Sequence, residues 1–300
     1  MKCAYCGVEA KGTKEHIISK SVLNLFPECY LTINEEKASM YLAEPMIKDV
    51  CIECNGKRIS YIDNYAKNFI EKYFTKEYSE NESIEIEYNY SLLQKIFLKY
   101  AYNDLRARNQ NVDFFSDEIK DYLLNEKLST PLENISILGG LAINTSPMPL
   151  WMNGNKKIEW GDSPFFISNF MGYRDYLTGQ FISNPEKENF TAINLAYIFR
   201  FYTGQFILIC WDIKNKNLDY EKFILNLKYP YEELTNKGKA ILKRCTGYLN
   251  YHRLKLIDTK VGLGFQDEMT LMDTSNKERL EILTEKWKEK EKLLKEKYKK

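Results

Sequence analysis

The sequence predicts an α+β fold made of three parts: a small cysteine-rich module, a larger mixed region and a C-terminal helix. Three observations support this prediction. Five of the seven cysteines lie within the first 75 residues, alternating apolar and polar runs typical of strands follow, and the chain ends in a segment of helical periodicity. The predicted boundaries are residues 1–75, 76–265 and 266–300.

The composition is that of an ordinary globular chain without a charge bias. Its 43 lysines and arginines almost cancel 42 aspartates and glutamates, so any positive field for nucleic acid would have to be a local patch. The N-terminal MKCAYCGVEA lacks the apolar run of a secretory signal, and no stretch approaches 18 apolar residues. We therefore expect a cytoplasmic protein with no membrane contact, whose reduced cysteines are metal ligands or buried residues.

A helix is predicted to close the cysteine-rich module. The stretch CNGKRISYIDNYAKNFIEKYF, residues 54–74, repeats apolar residues at helical spacing. Its apolar face comprises Ile59, Ile62, Ala66, Phe69, Ile70 and Tyr73. The polar run after this helix, residues 76–82, is predicted to be a linker.

Strands are predicted in the middle region. Residues 83–90, SIEIEYNY, alternate like a half-buried strand, and residues 134–143, NISILGGLAI, resemble a fully buried one. Residues 192–212 hold two β-rich runs joined near Thr203-Gly204, which indicates a hairpin. The region therefore predicts a mixed domain that selects a substrate or binds a regulatory protein or ligand.

Two further helices carry many charged residues. Residues 91–108 are predicted to be amphipathic, and their basic residues are a candidate phosphate-contacting face: Lys95, Lys99, Arg106 and Arg108. Residues 276–300 hold ten basic and six acidic side chains beside an apolar stripe. That helix is either docked by its stripe with a solvated outer face, or it contacts nucleic acid or a partner.

Two C-x2-C knuckles predict a structural zinc site. Cys3 and Cys6 form the first, and Cys51 and Cys54 form the second. Four thiolates in a reducing compartment satisfy the tetrahedral preference of Zn²⁺, whereas buried cysteines without metal would leave the doubled spacing unexplained. The unpaired cysteines, Cys29, Cys210 and Cys245, are expected to be packing residues.

The predicted zinc site brings two polar segments into one module. Glu15 and His16 lie between the knuckles, and Asn55 directly follows the second one. Asn55 is one turn before Ile59 on the inward face of the helix, so its amide needs a partner. The segment TKEHII around His16 could supply that partner.

These motifs, taken together, resemble a known family. The order C-x2-C, Glu-His-Ile-Ile, Lys-Ser, C-x2-C-Asn and a long helix is similar to HNH endonucleases with a zinc-stapled ββα-metal core. The resemblance is to the subgroup with asparagine in the third signature position. It covers residues 3 to about 65, and residues 80–300 show no comparable likeness.

The resemblance implies a role for each signature residue. His16 would be the general base that deprotonates the attacking water, for which a neutral imidazole with an ordinary pKa of ~6.5 is suited. Glu15, in the position usually held by aspartate, and Asn55 would be ligands of a catalytic Mg²⁺ or Mn²⁺ ion. Such a second ion is required because a zinc ion held by four thiolates has no open position.

The sequence departs from the family pattern at two positions. Ser19 stands where the family often has proline, and the middle asparagine that positions the base has no obvious match. Asp49 is the first candidate for orienting His16, and Asn34 is a weaker one. Asp63 is either a supporting carboxylate or a solvated surface residue.

Each signature residue also has a simpler interpretation. His16 could be a structural histidine or a ligand in a mixed zinc site, Glu15 a surface carboxylate, and Asn55 a helix N-cap. The sequence nevertheless favours an endonuclease that cuts DNA, with a bacterial defence or restriction role implied by resemblance. The alternatives are an RNA-directed nuclease or toxin, and a non-catalytic zinc-dependent nucleic-acid-binding protein.

Overall fold

The computed structural model describes residues 1–26, 31–34, 39–42, 46–79, 81–107, 109–141, 165–168, 191–228 and 231–245. For residues 31–34, 39–42, 165–168 and 224–228 it describes the backbone alone. Helices pack beside antiparallel sheets, which confirms the predicted α+β class.

The described residues form eleven strands and five helices. The strands are β1 (Gly12–His16), β2 (Leu31–Asn34), β3 (Ser39–Leu42), β4 (Met46–Cys51), β5 (Ile84–Glu87), β6 (Ile135–Leu141), β7 (Phe165–Ser168), β8 (Ile193–Phe201), β9 (Gly204–Trp211), β10 (Glu232–Leu234) and β11 (Lys239–Leu242). The helices are α1 (Lys20–Leu23), α2 (Ser60–Phe74), α3 (Tyr90–Ala107), α4 (Asp117–Leu124) and α5 (Leu218–Lys228).

The N-terminal part is built on a two-stranded antiparallel ribbon. Strand β1 pairs with β4, with Gly12 opposite Cys51 and His16 opposite Met46. The register shifts between Thr13 and Glu15. The backbones approach so closely at Gly12 that a Cβ there would overlap the carbonyl oxygen of Lys48. Glycine is therefore required at the start of this ribbon.

Helix α2 follows the second knuckle, as predicted. It begins after a π-helical turn, Cys54–Arg58, and runs to Phe74. All six residues of the predicted apolar face are buried, from Ile59 at one end to Tyr73 at the other. The helical periodicity of this segment thus identified both the element and its buried face.

A five-stranded antiparallel sheet, in the order β10-β6-β9-β8-β7, forms the larger part of the fold. The predicted hairpin is confirmed, since β8 and β9 are joined by Tyr202 and Thr203. The predicted buried strand is β6, which is buried along its whole length. The predicted strand at residues 83–90 is β5, which pairs with β11 in a separate two-stranded sheet.

One hydrophobic core joins the N-terminal part to this sheet. The ring of Phe206 on β9 lies 6.1 Å from Phe69, 5.3 Å from Phe74 and 5.2 Å from Phe97, measured between ring centroids. The same cluster of buried residues extends to Tyr5 beside the first knuckle. Residues on both sides of position 75 therefore share a core, while the domain boundary placed there stays a prediction.

Helix α3 corrects the predicted basic face. The helix packs against α2, α4, β4 and β9, so it is buried on all sides instead of being amphipathic. Lys95 and Lys99 have no exposed side-chain surface, and Arg106 pairs with Asp49. The prediction that Lys95 and Lys99 contact phosphate from a solvated face is wrong because that face is interior.

Several predictions fall outside the described residues. They are the C-terminal helix within residues 266–300, the environment of Cys29, the side chain of Asn34 and the position of Arg108. Along the part of the chain that the structure describes, no helix combines the length and apolar character needed to cross a bilayer.

Candidate functional site

The four cysteines of the two knuckles lie together. Their Sγ atoms are all within 4.8 Å of one another, and those of Cys6 and Cys51 are 3.8 Å apart. Four sulfurs bound to one tetrahedral zinc ion at about 2.3 Å would be about 3.8 Å from each other. The donor set and its spacing therefore fit zinc, and Cys3, Cys6, Cys51 and Cys54 could hold the ion as predicted.

Backbone N–H groups donate hydrogen bonds to two sulfur atoms of this cluster. The N–H of Cys51 donates to the Sγ of Cys3 at 3.4 Å, and the N–H of Cys54 donates to the Sγ of Cys51 at 3.5 Å. Burial opposes ionisation of Cys3, but backbone N–H groups, first that of Cys6, outweigh it and lower the pKa of its thiol to about 7. Burial raises the pKa of Cys54, so a metal would have to displace its proton.

Asn55 ties the start of the helical segment to β1. Its Nδ2 donates to the Oγ1 of Thr13 and to the carbonyl oxygen of Lys14, both at 2.9 Å. A carbonyl oxygen can only accept, so the atom that faces Lys14 must be the NH₂ group. The amide orientation is thereby determined, and Oδ1 remains as the atom able to accept a hydrogen bond or bind a cation. Asn55 thus has the partner from the Glu15–His16 segment that its sequence position predicts.

Glu15 is buried and forms an ion pair with a lysine from α3. The Nζ of Lys99 lies 2.8 Å from Oε1 of Glu15 and 2.5 Å from Oδ1 of Asp63. Glu15 is only 4% exposed, so the interpretation of Glu15 as a surface carboxylate is wrong. Asp63 also acts as a supporting carboxylate, because its interaction with Lys99 links α2 to Glu15 on β1 and to α3.

Charge in this cluster is nearly balanced. Burial alone would lower the pKa of Lys99, but the carboxylates of Asp63 and Glu15 outweigh that effect and raise it, so the ammonium stays charged. Burial raises the pKa of Asp63, against the opposing charges of Lys99 and His16. Two carboxylates and one ammonium leave one negative charge, which a bound cation would compensate.

Asn103, also on α3, forms hydrogen bonds with both the Glu15–His16 segment and Arg106. Its Oδ1 accepts from the hydroxyl of Tyr5 at 2.8 Å and from Nη2 of Arg106 at 2.5 Å. Its Nδ2 donates to the backbone carbonyl of His16 at 3.0 Å and to Oε1 of Glu15 at 3.3 Å. Asn103 is fully buried, so these bonds hold the end of β1 at a set position against α3.

The predicted partner of His16, Asp49, makes a different contact in this structure. Its Oδ1 accepts from Nη1 of Arg106 at 2.6 Å, and the guanidinium of Arg106 lies 4.2 Å from the ring centroid of Tyr102. His16 is partly exposed at the end of β1. The role of Asp49 in orienting His16 stays a prediction, as does that of Asn34.

Ser19 makes a specific contact where the family often has proline. Its Oγ is 3.0 Å from the hydroxyl oxygen of Tyr100 on α3. The backbone φ of Ser19 is −56°, a value that proline also adopts. The backbone at Ser19 is therefore compatible with proline, and the serine adds a side-chain contact with α3.

No family model, curated protein or solved structure matches this chain. The function must therefore be inferred from the site itself.

Sequence reasoning missed the part that α3 plays at this site. Lys99, Tyr100 and Asn103 all contact residues of the Glu15–Ser19 segment. One signal was present: Lys95, Lys99 and Asn103 recur every four residues on a helix that is largely apolar on its remaining surface. A helix that is apolar around most of its circumference is buried, and its regularly spaced polar residues must then find interior partners.

Proposed function

We propose that this protein is a metal-dependent endonuclease of the HNH type. The observation that carries the proposal is the pair of hydrogen bonds from Asn55 to Thr13 and Lys14, which brings the third signature residue to the strand that bears Glu15 and His16. The order of elements supports it, because the antiparallel β1–β4 ribbon leads through the second knuckle into α2.

The proposed chemistry uses two side-chain oxygens that contact no donor among the described residues. Oε2 of Glu15 and Oδ1 of Asn55 would hold a Mg²⁺ or Mn²⁺ ion, whose charge stabilises the phosphate and the leaving 3′ oxygen. His16 takes a proton from water as its oxygen bonds to phosphorus and the bond from phosphorus to the 3′ oxygen breaks. In this proposal the zinc ion is structural and holds β1, β4 and α2 together.

The surface around His16 supports a polyanionic substrate. Lys14 on β1 and Lys48 on β4 are exposed, as is Met46 opposite His16. Two lysines beside the base form a local basic patch in a chain that has no overall charge bias. We propose DNA as the substrate, with RNA as the alternative, because the same water attack serves both.

A second candidate function rests on the Lys99 ion pairs. Because Lys99 already neutralises Glu15 and Asp63, the acidic cluster is satisfied by the protein alone. Under this alternative the module is a zinc-stapled binding domain without catalysis. Replacement of His16 would then leave nucleic-acid binding and any biological effect intact.

The test is a cleavage assay on supercoiled plasmid and on structured RNA, with Mg²⁺, Mn²⁺ or EDTA. The wild type is compared with His16→Ala and with the control His252→Ala, which removes the other histidine of the chain. We expect metal-dependent cutting that falls by about 100-fold or more in His16→Ala, the size typical of a lost general base, and is unchanged in the control. Zinc content is measured in all three proteins.

The possible outcomes separate the two functions. Equal cutting by the wild type and His16→Ala would contradict the role of His16 as base. If every protein retains zinc and none cuts either substrate, the non-catalytic binding domain is favoured. The nucleic acid that the wild type consumes names the substrate class.

A further inference from the structure

Lys99 lies outside the stretch that resembles a nuclease, yet it contacts the central acid of that stretch. It belongs to α3, and its whole side chain is buried. Such a lysine is rare in a protein interior unless it is paired, because desolvation disfavours its charge. Its two carboxylate partners, Glu15 and Asp63, explain how the charge is kept.

Among the residues that the structure describes, the side-chain contacts with Glu15 are made to one of its two carboxylate oxygens. Lys99 Nζ is 2.8 Å from Oε1, and Asn103 Nδ2 is 3.3 Å from the same atom. Two donors from successive turns of one rigid helix thus determine the orientation of the carboxylate. The second oxygen, Oε2, is left as the atom that can coordinate a cation.

We propose that Lys99, with Asn103, is a positioning residue for the divalent-ion site: it holds Glu15 by Oε1 so that Oε2 serves as the ligand. This inference rests on the proposed function, and it extends the site beyond the cysteine-rich module to α3. The proposed ion would therefore require a helix that follows position 75, and residues 1–75 by themselves would not form the complete site.

The opposite role, in which Lys99 competes with the ion for Glu15, conflicts with the packing. A competing lysine would have to move away when the ion binds. Lys99 has no exposed surface, and α3 is packed against α2, α4, β4 and β9. Displacement from Glu15 would leave the buried ammonium with Asp63 as its one carboxylate partner and would require a packed helix to shift, so we infer that the lysine stays in place and works with the ion.

The chain provides a matched control for this inference. Lys95 lies one turn earlier on α3 and is equally buried, but its Nζ donates to the carbonyl oxygen of Asn125 and lies 4.5 Å from the ring centroid of Tyr122. Lys95→Met and Lys99→Met therefore remove the same charge from the same helix. Only the second removes a contact with Glu15.

The experiment measures Mn²⁺ binding to the full-length, zinc-loaded protein by titration calorimetry, with Glu15→Gln identifying the site. We expect Lys99→Met to weaken Mn²⁺ binding by about tenfold or more, as loss of a group that orients a metal ligand does. Lys95→Met should stay within about twofold of the wild type. Circular dichroism and zinc content confirm that each variant is folded.

Unchanged or tighter Mn²⁺ binding by folded Lys99→Met would overturn the inference, and tighter binding would identify Lys99 as a competitor. If Lys99→Met does not fold, Lys99→Gln is titrated instead. Glutamine is shorter than lysine and carries no charge, so it loses the ion pair with Oε1 of Glu15, and we expect an affinity below that of the wild type by about threefold or more. An affinity equal to that of the wild type would overturn the inference.

The same titration separates failure of the inference from failure of the proposed function. A wild type that binds Mn²⁺ through Glu15 but cuts no substrate would contradict the nuclease, while the lysine variants still decide the role of Lys99. A wild type that cuts, with Lys99→Met binding Mn²⁺ normally, would contradict only the inference. If the wild type binds no Mn²⁺ at Glu15, both are overturned.

Discussion

The corner formed by β1, β4 and the four cysteines is held together differently from the five-stranded sheet. In the corner, the described contacts are thiols within 4.8 Å of one another, a buried lysine between two carboxylates and an asparagine with four hydrogen-bond partners. In the sheet, β9 is buried at all eight positions and packs aromatic and aliphatic side chains on both faces.

This difference follows from the length of the elements. Strands of eight or nine residues that are apolar on both faces bury enough surface to be stabilised by the hydrophobic effect. The corner has strands of five and six residues and offers much less apolar surface. It therefore depends on a few strong and directional interactions, and each of these is individually more important than a contact in the sheet.

The largest difference in zinc binding and stability between the two regions should come from replacing one cysteine by serine in each. We expect Cys51→Ser to abolish stoichiometric zinc binding and unfold the corner, because a structural zinc site contributes on the order of 10 kcal/mol. Cys210→Ser, in the middle of β9, should keep its zinc and lose about 1–3 kcal/mol from burying a hydroxyl. Elemental analysis and chemical denaturation measure the two results. Full zinc in purified, folded Cys51→Ser would contradict a four-cysteine site.

A smaller difference is expected between two glycine substitutions. At Gly12 the new methyl group would overlap the backbone carbonyl of Lys48, which cannot rotate away, so Gly12→Ala should cost about 3 kcal/mol or more. At Gly204 it would lie 2.5 Å from the ring of Phe74, and we expect a cost of about 2 kcal/mol because the ring can shift. Urea denaturation compares the two free energies of unfolding.

Gly56→Ala is the control for this pair, since no atom lies within 4 Å of a Cβ placed there. It should be neutral or slightly stabilising, because Gly56 lies in the π-helical turn and alanine favours helix. If Gly12→Ala were as stable as Gly56→Ala, the close approach of β1 and β4 would be refuted.

The smallest effect concerns pH and the buried lysines of α3. Burial lowers the pKa of Lys95 to about 8, although the charge of Glu126 opposes the shift. Between that pH and the ordinary lysine pKa the unfolded chain binds more protons, so the stability contributed at this residue rises with pH. From pH 8 to 9.5 we expect the wild type to gain about 1–2 kcal/mol relative to Lys95→Met.

The stability contributed by Lys99 should change with pH in the opposite direction, so the two lysines can be compared within one helix. The pKa of Lys99 in the folded protein is raised above its pKa in the unfolded chain. Its contribution to the free energy of unfolding is therefore complete at pH values below the unfolded pKa, and it is lost as the pH rises through the folded pKa. Denaturation curves for the wild type, Lys95→Met and Lys99→Met at several pH values test both signs. A wild type that shows no gain over Lys95→Met would contradict the low pKa of Lys95.

Much of the fold was predictable because it depends on local patterns. The apolar period of residues 54–74 predicted α2 and its buried face, and the two runs around Thr203 predicted the β8–β9 hairpin. Side-chain periodicity reflects which face of an element is covered. It failed at α3, where the helix is covered on all faces and its lysines were interpreted as solvated.

The candidate site was predictable in part. The spacing of the cysteines predicted a cluster that could hold zinc, and Asn55 makes its contact with the segment that precedes His16. The spacing of residues along the chain does not indicate which acidic residue forms an ion pair with each basic residue. Arg106 pairs with Asp49, and Lys99 pairs with Glu15 and Asp63, because the packing of α3 against the corner brings them together.

The sequence by itself determined the α+β class, the positions of the main elements and the identity of the clustered cysteines, since all of these depend on the spacing of residue types. Only the tertiary structure decided that Glu15 is buried and that Lys99 and Asn103 hold it. Those contacts join residues far apart in the chain, and their geometry results from how α2, α3 and the β1–β4 ribbon pack around a shared core.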